Sequence, residues 1–410
     1  MTRIVFIESS QHGAGELAMR SALADGLEPV LLTHDASRYP FLMEMPDIVS
    51  VRTVDTGDGR ALMRVCADLV QSSMASFATT ADMFAVKTAW LARAFGRPGP
   101  DVSAVERCKS KVATRRAVAA SHSHLNPGFR DIAADANPDA MIEGLSFPLV
   151  VKPDDMLGGS LVSVCHTRGD VRQAVAAIRG LHREASIPGV TGTVIAEEFL
   201  PGAEFSATIF GGEVQFVMRH GQVDPTRAVT HDGDIVTIEP GSPEDHVGRA
   251  AGEVVRLLGL TWGPAHAQFR LAADGSPCLL EVNPRLPGGM IAAAGRLATG
   301  RDPVRAYVRA CCGLESLAAP TDLSHPPASV SLRYVCLDRS GVVASLHGLE
   351  TARAMPLVNA AVCHLEPGKS YVQHGDGRDR YGYVLASGDD PDAVARAADA
   401  ARGAIQVGWT

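Results

Sequence analysis

An α/β fold made of more than one domain is what this sequence predicts, and three observations carry the prediction. The chain opens on an apolar run, RIVFIE (3–8), followed by a polar, Gly-containing turn, a helix-like ELAMRSALADG (16–26) and a second apolar run, PVLLTH (29–34). That is the order of a parallel β-loop-α-β unit. In mid-chain TVIAEEFL (193–200), EFSATIF (204–210) and EVQFVMRH (213–220) succeed one another as strand-like runs joined by PGA and GG turns. At 410 residues the chain exceeds one typical domain, so two or three packed units are expected.

Taken in order, the first half is Rossmann-like: an open parallel sheet with helices between strands. Its turn QHGAG (11–15) lacks the GxGxxG spacing and reads either as a phosphate loop or as an ordinary strand-to-helix turn. GRPGP (96–100) breaks the pattern and marks the first boundary. A single helical stretch is expected over 104–122. FPLVVKP (147–153) and SLVSVCH (160–166) are strand-like runs flanking the Gly-containing loop DDMLGG. A helix over about 244–259 precedes HAQFRLAADGSPCLLEVNPR (266–285), in which Asp274-Gly275 is a hairpin signal. Past about residue 325 strands return in SVSLRYVCLD and YGYVLASG, and the helical DAVARAADAARGAIQV closes the chain.

The chemistry concentrates in CLLEVNPRLPGG (278–289). Successive side chains of a strand point to opposite faces, so Glu281, Asn283 and Arg285 share one row while Leu280 and Val282 turn inward. A two-residue Asp274-Gly275 turn pairs Ala273 with Ser276. Counting back then sets Gln268 opposite Glu281 and His266 opposite Asn283, each pair about 5 Å apart. One face carries His266, Gln268, Glu281, Asn283 and Arg285; the other carries Phe269, Leu271, Leu280 and Val282. A carboxylate with two amide oxygens suits a hard, partly hydrated cation beside phosphates, Mg²⁺ or its substitute Mn²⁺, with Gln268, Glu281 and Asn283 as ligands. No Cys/His spacing supports zinc. After the strand, Arg285 and the backbone N–H groups of Gly288-Gly289 either receive a carboxylate or belong to a plain strand-to-helix turn. His231 and Asp232 either line an acceptor pocket or sit in a solvated loop; His122 and His124 mark a helix end.

The bulk numbers exclude several classes. Net charge is −8, from 38 basic and 46 acidic residues, which disfavours nucleic acid and acidic membranes as partners. The four apolar residues before Glu8 are too few for a signal-peptide core, and no later run approaches a membrane span. Eight cysteines without a CxxC pair read as packed thiols of a reducing compartment, Cys311-Cys312 included. A soluble, cytoplasmic protein is expected.

Over roughly residues 105–300 the chain resembles the ATP-grasp superfamily. HAQFRL…CLLEVNPR is similar to that family's magnesium-binding hairpin. VVKP resembles the strand whose lysine, here Lys152, reaches the nucleotide phosphates, and CKSKVATR the helix start whose lysine is matched by Lys109. EEFLPGAEFS (197–206) resembles the interdomain strand: the backbone around Glu198, Phe199 and Leu200 would read adenine, and Glu197 or Glu204 would hold the ribose. MLGGS matches the lid over the phosphates, with Gly158, Gly159 and Ser160 as contacts. The ends of the chain resemble the amino-acid-ligase branch, dipeptide synthetases included.

The resemblance implies an ATP-grasp fold with an N-terminal Rossmann-like domain (1–100), a small, lid-bearing region (101–200, lid about 125–198), a large subdomain with the metal hairpin (201–325) and a C-terminal α+β subdomain (326–410). It implies a ligase that uses ATP and Mg²⁺ to activate a small carboxylic acid or amino acid as an acyl phosphate and joins it to an amine, releasing ADP and phosphate. Arg285, Lys152 and Glu281 would be catalytic, and Arg285, Gly288, Gly289 and His231 would meet substrate. Homodimers are common in that branch. Two residues depart from the pattern: Gln268 replaces a metal-binding glutamate, and Cys108 an aspartate. A biotin-carboxylase-like or ring-closing ligase, and a nucleotide-binding regulatory protein with degraded catalysis, are the alternatives.

Overall fold

Four strands form a parallel sheet at the N-terminus in the order Ser50–Thr53, Glu28–Thr33, Arg3–Ile7, Ala75–Ala78; the edge strand Ser50–Thr53 is exposed, the other three carry short apolar runs. The structure, a computed structural model, describes residues 2–45, 49–154, 161–185, 192–221, 232–315, 326–375 and 377–410. Arg3–Ile7 is central, so Ile4, Val5, Phe6 and Ile7 are all buried, as a strand covered on both faces requires. Helix Ala14–Ala24 lays Ala14, Ala18, Met19 and Ala22 on this sheet.

At the end of the central strand Glu8 adopts φ 51°, a left-handed conformation costly for a non-glycine residue. Its buried carboxylate accepts from Thr33 Oγ1 (2.8 Å), Thr56 Oγ1 (2.8 Å), the His34 N–H (2.9 Å) and the Tyr39 hydroxyl. Burial alone would raise its pKa, but these donors, Tyr39 first, bring it down to about 2. They also fix the start of the turn that leads to Gly13.

The helical stretch expected over 104–122 is two helices, Val102–Lys109 and Lys111–His122. Ser110 leaves the helical region (φ −95°, ψ 117°) and its hydroxyl caps the Ala113 N–H, a local bond that competes with helix continuation.

Eight strands make the central antiparallel sheet, in the order Pro277–Asn283, Pro264–Leu271, Glu204–Phe210, Glu213–His220, Gly233–Val236, Ser329–Cys336, Arg380–Gly388, Val358–Cys363. It runs without a break across residue 325, since Ser329–Cys336 pairs with Gly233–Val236. The hairpin strand Pro277–Asn283 is one edge of it. Helix Pro243–Leu257 packs Val247, Ala251, Val254 and Val255 against Phe205, Ala207, Phe269 and Val282. A separate four-stranded sheet, Phe129–Ile132, Val194–Glu198, Leu149–Pro153, Ser163–Cys165, carries Lys152 and Glu197. Among the described residues no helix is long and apolar enough to cross a membrane. All eight cysteines are free thiols.

Candidate functional site

The hairpin pairs His266 with Asn283 and Gln268 with Glu281, the pairs expected on the chemical face. The route to that register differs from the expected one. The turn is one residue longer: Ala272 and Ser276 close it (Ala272 N to Ser276 O, 2.9 Å), with Gly275 at φ 80°. A β-bulge between Gln268 and Phe269 then absorbs the extra residue. The cost falls on Leu280. Alternation points it inward, but it is only half-buried at the bulge, and Leu279 fills the core beside Phe269 instead. The Leu280 carbonyl is bonded by Arg115 Nη2 at 2.8 Å. Glu281 is held by Asn283, whose Nδ2 donates to its Oε1 at 2.8 Å.

Cations converge on this edge. Asp154, the residue after the strand Leu149–Pro153, accepts from Val112 N (2.7 Å) and Ser110 Oγ (2.9 Å), binding that strand to the start of helix Lys111–His122. This brings Lys152 and Lys111 together. Lys152 Nζ pairs with Glu197 Oε2 at 2.7 Å, and Arg115 Nε with Glu197 Oε1 at 2.7 Å. Burial would raise the Glu197 carboxyl, but the Arg115 and Lys152 charges lower it to about 2. Burial lowers the pKa of Lys111, and Lys152 and Lys109 add to that fall, while Glu281 opposes it. A small cleft is lined by Lys109, Lys111, Arg115, Leu280, Glu281 and Asn283, with Cys108 at its wall. Burial pushes the Cys108 thiol up to about 12, so it stays neutral.

Asp82, from the segment after the N-terminal sheet, joins the two ends of the site. Its Oδ2 accepts from Lys109 Nζ at 2.6 Å, and its Oδ1 stands 3.7 Å from Arg285 Nε. Arg285 also donates to the Leu286 carbonyl at 2.9 Å. His266 is fully buried; burial first, then Arg285 and His220, keep its pKa well below the ordinary histidine range, so its imidazole is neutral.

Gly289 (φ 59°) sits in a tight place: a Cβ there would stand 2.2 Å from Tyr334 Oη, and one on Gly13 would stand 2.1 Å from the Gly289 carbonyl. Tyr334 Oη accepts from the Met290 N–H at 2.8 Å. The loop after the hairpin is thus wedged at Gly289 between the turn before the first helix and the C-terminal strands, while a Cβ on Gly288 would meet open space.

The remaining expected residues lie apart from the cleft or outside the described residues. Glu197 is the buried counter-ion of Lys152 and Arg115. The Glu198 carboxylate accepts from Ser146 N (2.9 Å), and Phe199 N donates to the Pro148 carbonyl (2.9 Å). Arg270 bonds the Leu200 carbonyl (2.9 Å) and pairs with Glu204 (3.2 Å). Asp232 accepts from Tyr334 N at 2.7 Å and pairs with Arg402, tying the sheet to the last helix. His122 lies 3.8 Å from Glu253, and His124 is exposed at the helix end. Gly158, Gly159, Ser160 and His231 fall outside the described residues. Sequence reading passed over Asp82, Lys111 and Arg115. The i, i+4 spacing of Lys111 and Arg115 on one helix face was a signal for the last two.

The donor set fits a nucleotide with a hard cation. Three cations of the cleft wall face one carboxylate and one amide, a balance that suits phosphate oxygens and a metal shared with them. Among the described residues no three His, Cys, Asp or Glu side chains converge on a metal position. A cation here would therefore rest on Glu281, Asn283 and Gln268, with phosphate completing its shell.

Comparison with known proteins bears on the domains and the fold. Residues 145–294 match the ATP-grasp domain and residues 333–410 the L-amino acid ligase C-terminal domain 2. The chain is 28% identical over 365 residues, 88% of its length, to the uncharacterized protein y4rH of Sinorhizobium fredii, and spans 73% of that protein. It is 30% identical to a D-alanine--D-alanine ligase of Cupriavidus metallidurans over 45% of the chain and 57% of that ligase. The solved L-amino acid ligase from Bacillus licheniformis superimposes with a TM-score of 0.80 over 100% of this chain and 99% of that one, at 19% identity. The fold is the ATP-grasp fold.

Proposed function

We propose that this chain, which carries an ATP-grasp domain and an L-amino acid ligase C-terminal domain, is an ATP-dependent ligase joining the carboxylate of a small amino acid or related acid to an amine. One observation carries the reading. A single carboxylate, Glu281, and the amides Gln268 and Asn283 share one hairpin face, and Lys109, Lys111 and Arg115 line the cleft beside Glu281 and Asn283.

MgATP, when bound, supplies a phosphoryl group that converts the acid to an acyl phosphate. The amine then attacks the acyl carbon, phosphate leaves, and the amine's proton passes to solvent. The chain's own residues prepare this in stages. Lys109, Lys111 and Lys152 offer point charges to phosphate oxygens. Glu197, held ionised between Arg115 and Lys152, fixes the Lys152 ammonium in place. Arg285, anchored to the Leu286 carbonyl, meets the carboxylate being activated, and its fixed charge offsets charge that grows there. His266 stays neutral behind it and adds no competing cation.

The test is phosphate release from MgATP against a matrix of amino acids and small acids, singly and in pairs, with product masses read in every positive well. Release that requires two partners, with a product mass equal to their sum less water, is the expected result. Release with one compound alone would favour cyclisation, bicarbonate dependence would favour a carboxylase, and ATP binding without turnover would favour a regulatory protein.

A further inference from the structure

One carboxylate sits between two cations that the ligase reading assigns to different substrates, Lys109 to the nucleotide and Arg285 to the acid. It is Asp82, the first residue of the short helical turn Asp82–Phe84 that follows the N-terminal sheet. The backbone around it is tied down. The Thr79 N–H donates to the Tyr307 hydroxyl, Thr79 Oγ1 accepts from the Ala81 N–H, and the Phe84 N–H donates to the Ala81 carbonyl, each at 3.0 Å. Any movement of the Asp82 carboxylate is therefore a movement of its side chain.

That side chain is only 10% exposed, and its two oxygens are unequally served. Oδ2 accepts from Lys109 Nζ at 2.6 Å. Oδ1 is buried and, among the described residues, has no hydrogen-bond partner. Arg285 Nε stands 3.7 Å from it, outside hydrogen-bond reach. A bare buried carboxylate oxygen is costly, and a shift of about 1 Å would close the gap. Arg285 keeps its Nη1 on the Leu286 carbonyl at 2.9 Å, a pivot about which the Nε edge can swing.

Lys109 also lines the cleft beside Glu281 and Asn283, where the nucleotide phosphates are placed. A phosphate oxygen on Lys109 would share one ammonium with the Asp82 carboxylate, and the two anions repel. An ammonium on a flexible stem follows the more highly charged partner. Asp82 is then left with Arg285 as the cation 3.7 Å away. Arginine suits the receiving end, since its five donors let one edge hold Asp82 while others face a substrate carboxylate.

We propose that Asp82 is a positioning residue that passes from Lys109 to Arg285 when nucleotide phosphates take Lys109, so that nucleotide binding sets the Arg285 guanidinium before the acid arrives. This rests on the ligase reading above. A residue outside the matched ATP-grasp residues 145–294 thereby sets the order in which the site is completed.

The test uses the magnesium complex of adenylyl imidodiphosphate, which fills the phosphate positions without turnover. A crystal structure of wild type with this complex should show Lys109 Nζ on a phosphate oxygen and Asp82 within about 3.2 Å of Arg285. Lys109 still on Asp82, or Arg285 no closer than 3.7 Å, would overturn the transfer. Calorimetry then gives the Kd of the same complex for wild type, Asp82→Asn and Asp82→Glu. Asp82→Asn keeps an oxygen that can accept from Lys109 and removes the charge that competes for it. Its Kd should fall about tenfold, the difference between a charge-assisted and a neutral hydrogen bond. Asp82→Glu keeps the charge and should bind as wild type does. Loss of a residue that only braced the fold would weaken nucleotide binding, so an unchanged or raised Kd in Asp82→Asn would overturn the proposal. If Asp82→Asn does not fold, the wild-type crystal structure decides. Wild type that binds the analogue with Lys109 unmoved would overturn this inference alone; wild type that does not bind it would overturn the ligase reading as well.

Discussion

Replacing Glu281 by glutamine removes one charge and almost nothing else. The side chain keeps its length, and its Oε1 can still accept from Asn283 Nδ2, now at 2.8 Å. The residue is half-buried on an edge strand, so stability should change by no more than about 0.5 kcal/mol. The site changes far more. Gln268 and Asn283 are amides, so Glu281 is the one carboxylate among the three proposed metal ligands. Without it a cation there would face three neutral oxygens beside Lys109, Lys111 and Arg115. Losing one preorganised electrostatic group of this kind costs about 10²- to 10³-fold in turnover, and the Mg²⁺ concentration for half-maximal rate should rise at least about tenfold. Steady-state ADP release across a Mg²⁺ series, with thermal melting as the fold control, measures both. Turnover within about threefold of wild type at an unchanged Mg²⁺ midpoint, in a protein that melts normally, would refute the placement of the metal.

Gln268→Glu should act in the opposite sense. It sets a second carboxylate directly opposite Glu281, so metal-free protein should lose up to about 1 kcal/mol from like-charge repulsion. Its Mg²⁺ midpoint should fall, which melts with and without Mg²⁺ will show. Glu8 should make the protein acid-sensitive. Its folded pKa of about 2 lies below the ordinary 4.5, so the unfolded chain takes up the proton first as pH falls. The stabilisation, about 3 kcal/mol, is complete above pH 4.5 and lost as pH falls towards 2. Denaturant unfolding at about pH 6 and about pH 3 should show a smaller loss in Glu8→Gln than in wild type. Equal losses would mean that Glu8 is not a source of the acid sensitivity.

The pair Glu281 and Asn283 was legible in the sequence because strand periodicity is local: alternation decides which side chains share a face wherever the strand goes; Arg285 lies past the strand end, its N–H bonded to the Asn283 carbonyl at 2.9 Å, so alternation does not place it. The apolar runs of Arg3–Ile7 and Glu28–Thr33 were legible for the same reason. The pairing of Gln268 with Glu281 was also legible, though through a turn one residue too short, because the bulge at Leu280 restored the count. A bulge leaves no mark in the alternation, so alternation puts Leu280 in the core where the fold puts Leu279. The break at Ser110 is local, its hydroxyl capping the Ala113 N–H, but the bond of the same hydroxyl to Asp154, 44 positions away, left no mark in the sequence. The same holds for the groups that turn a strand face into a site. Glu197 meets Arg115 across 82 positions, Lys109 meets Asp82 across 27, and Tyr334 reaches Gly289 only because the central sheet carries the C-terminal strands past it. Local sequence determined which residues could share a face and which stretches had to be buried. Tertiary packing alone decided which charges were brought within a few ångströms of one another, since a Coulomb interaction depends on distance in space and not on separation along the chain.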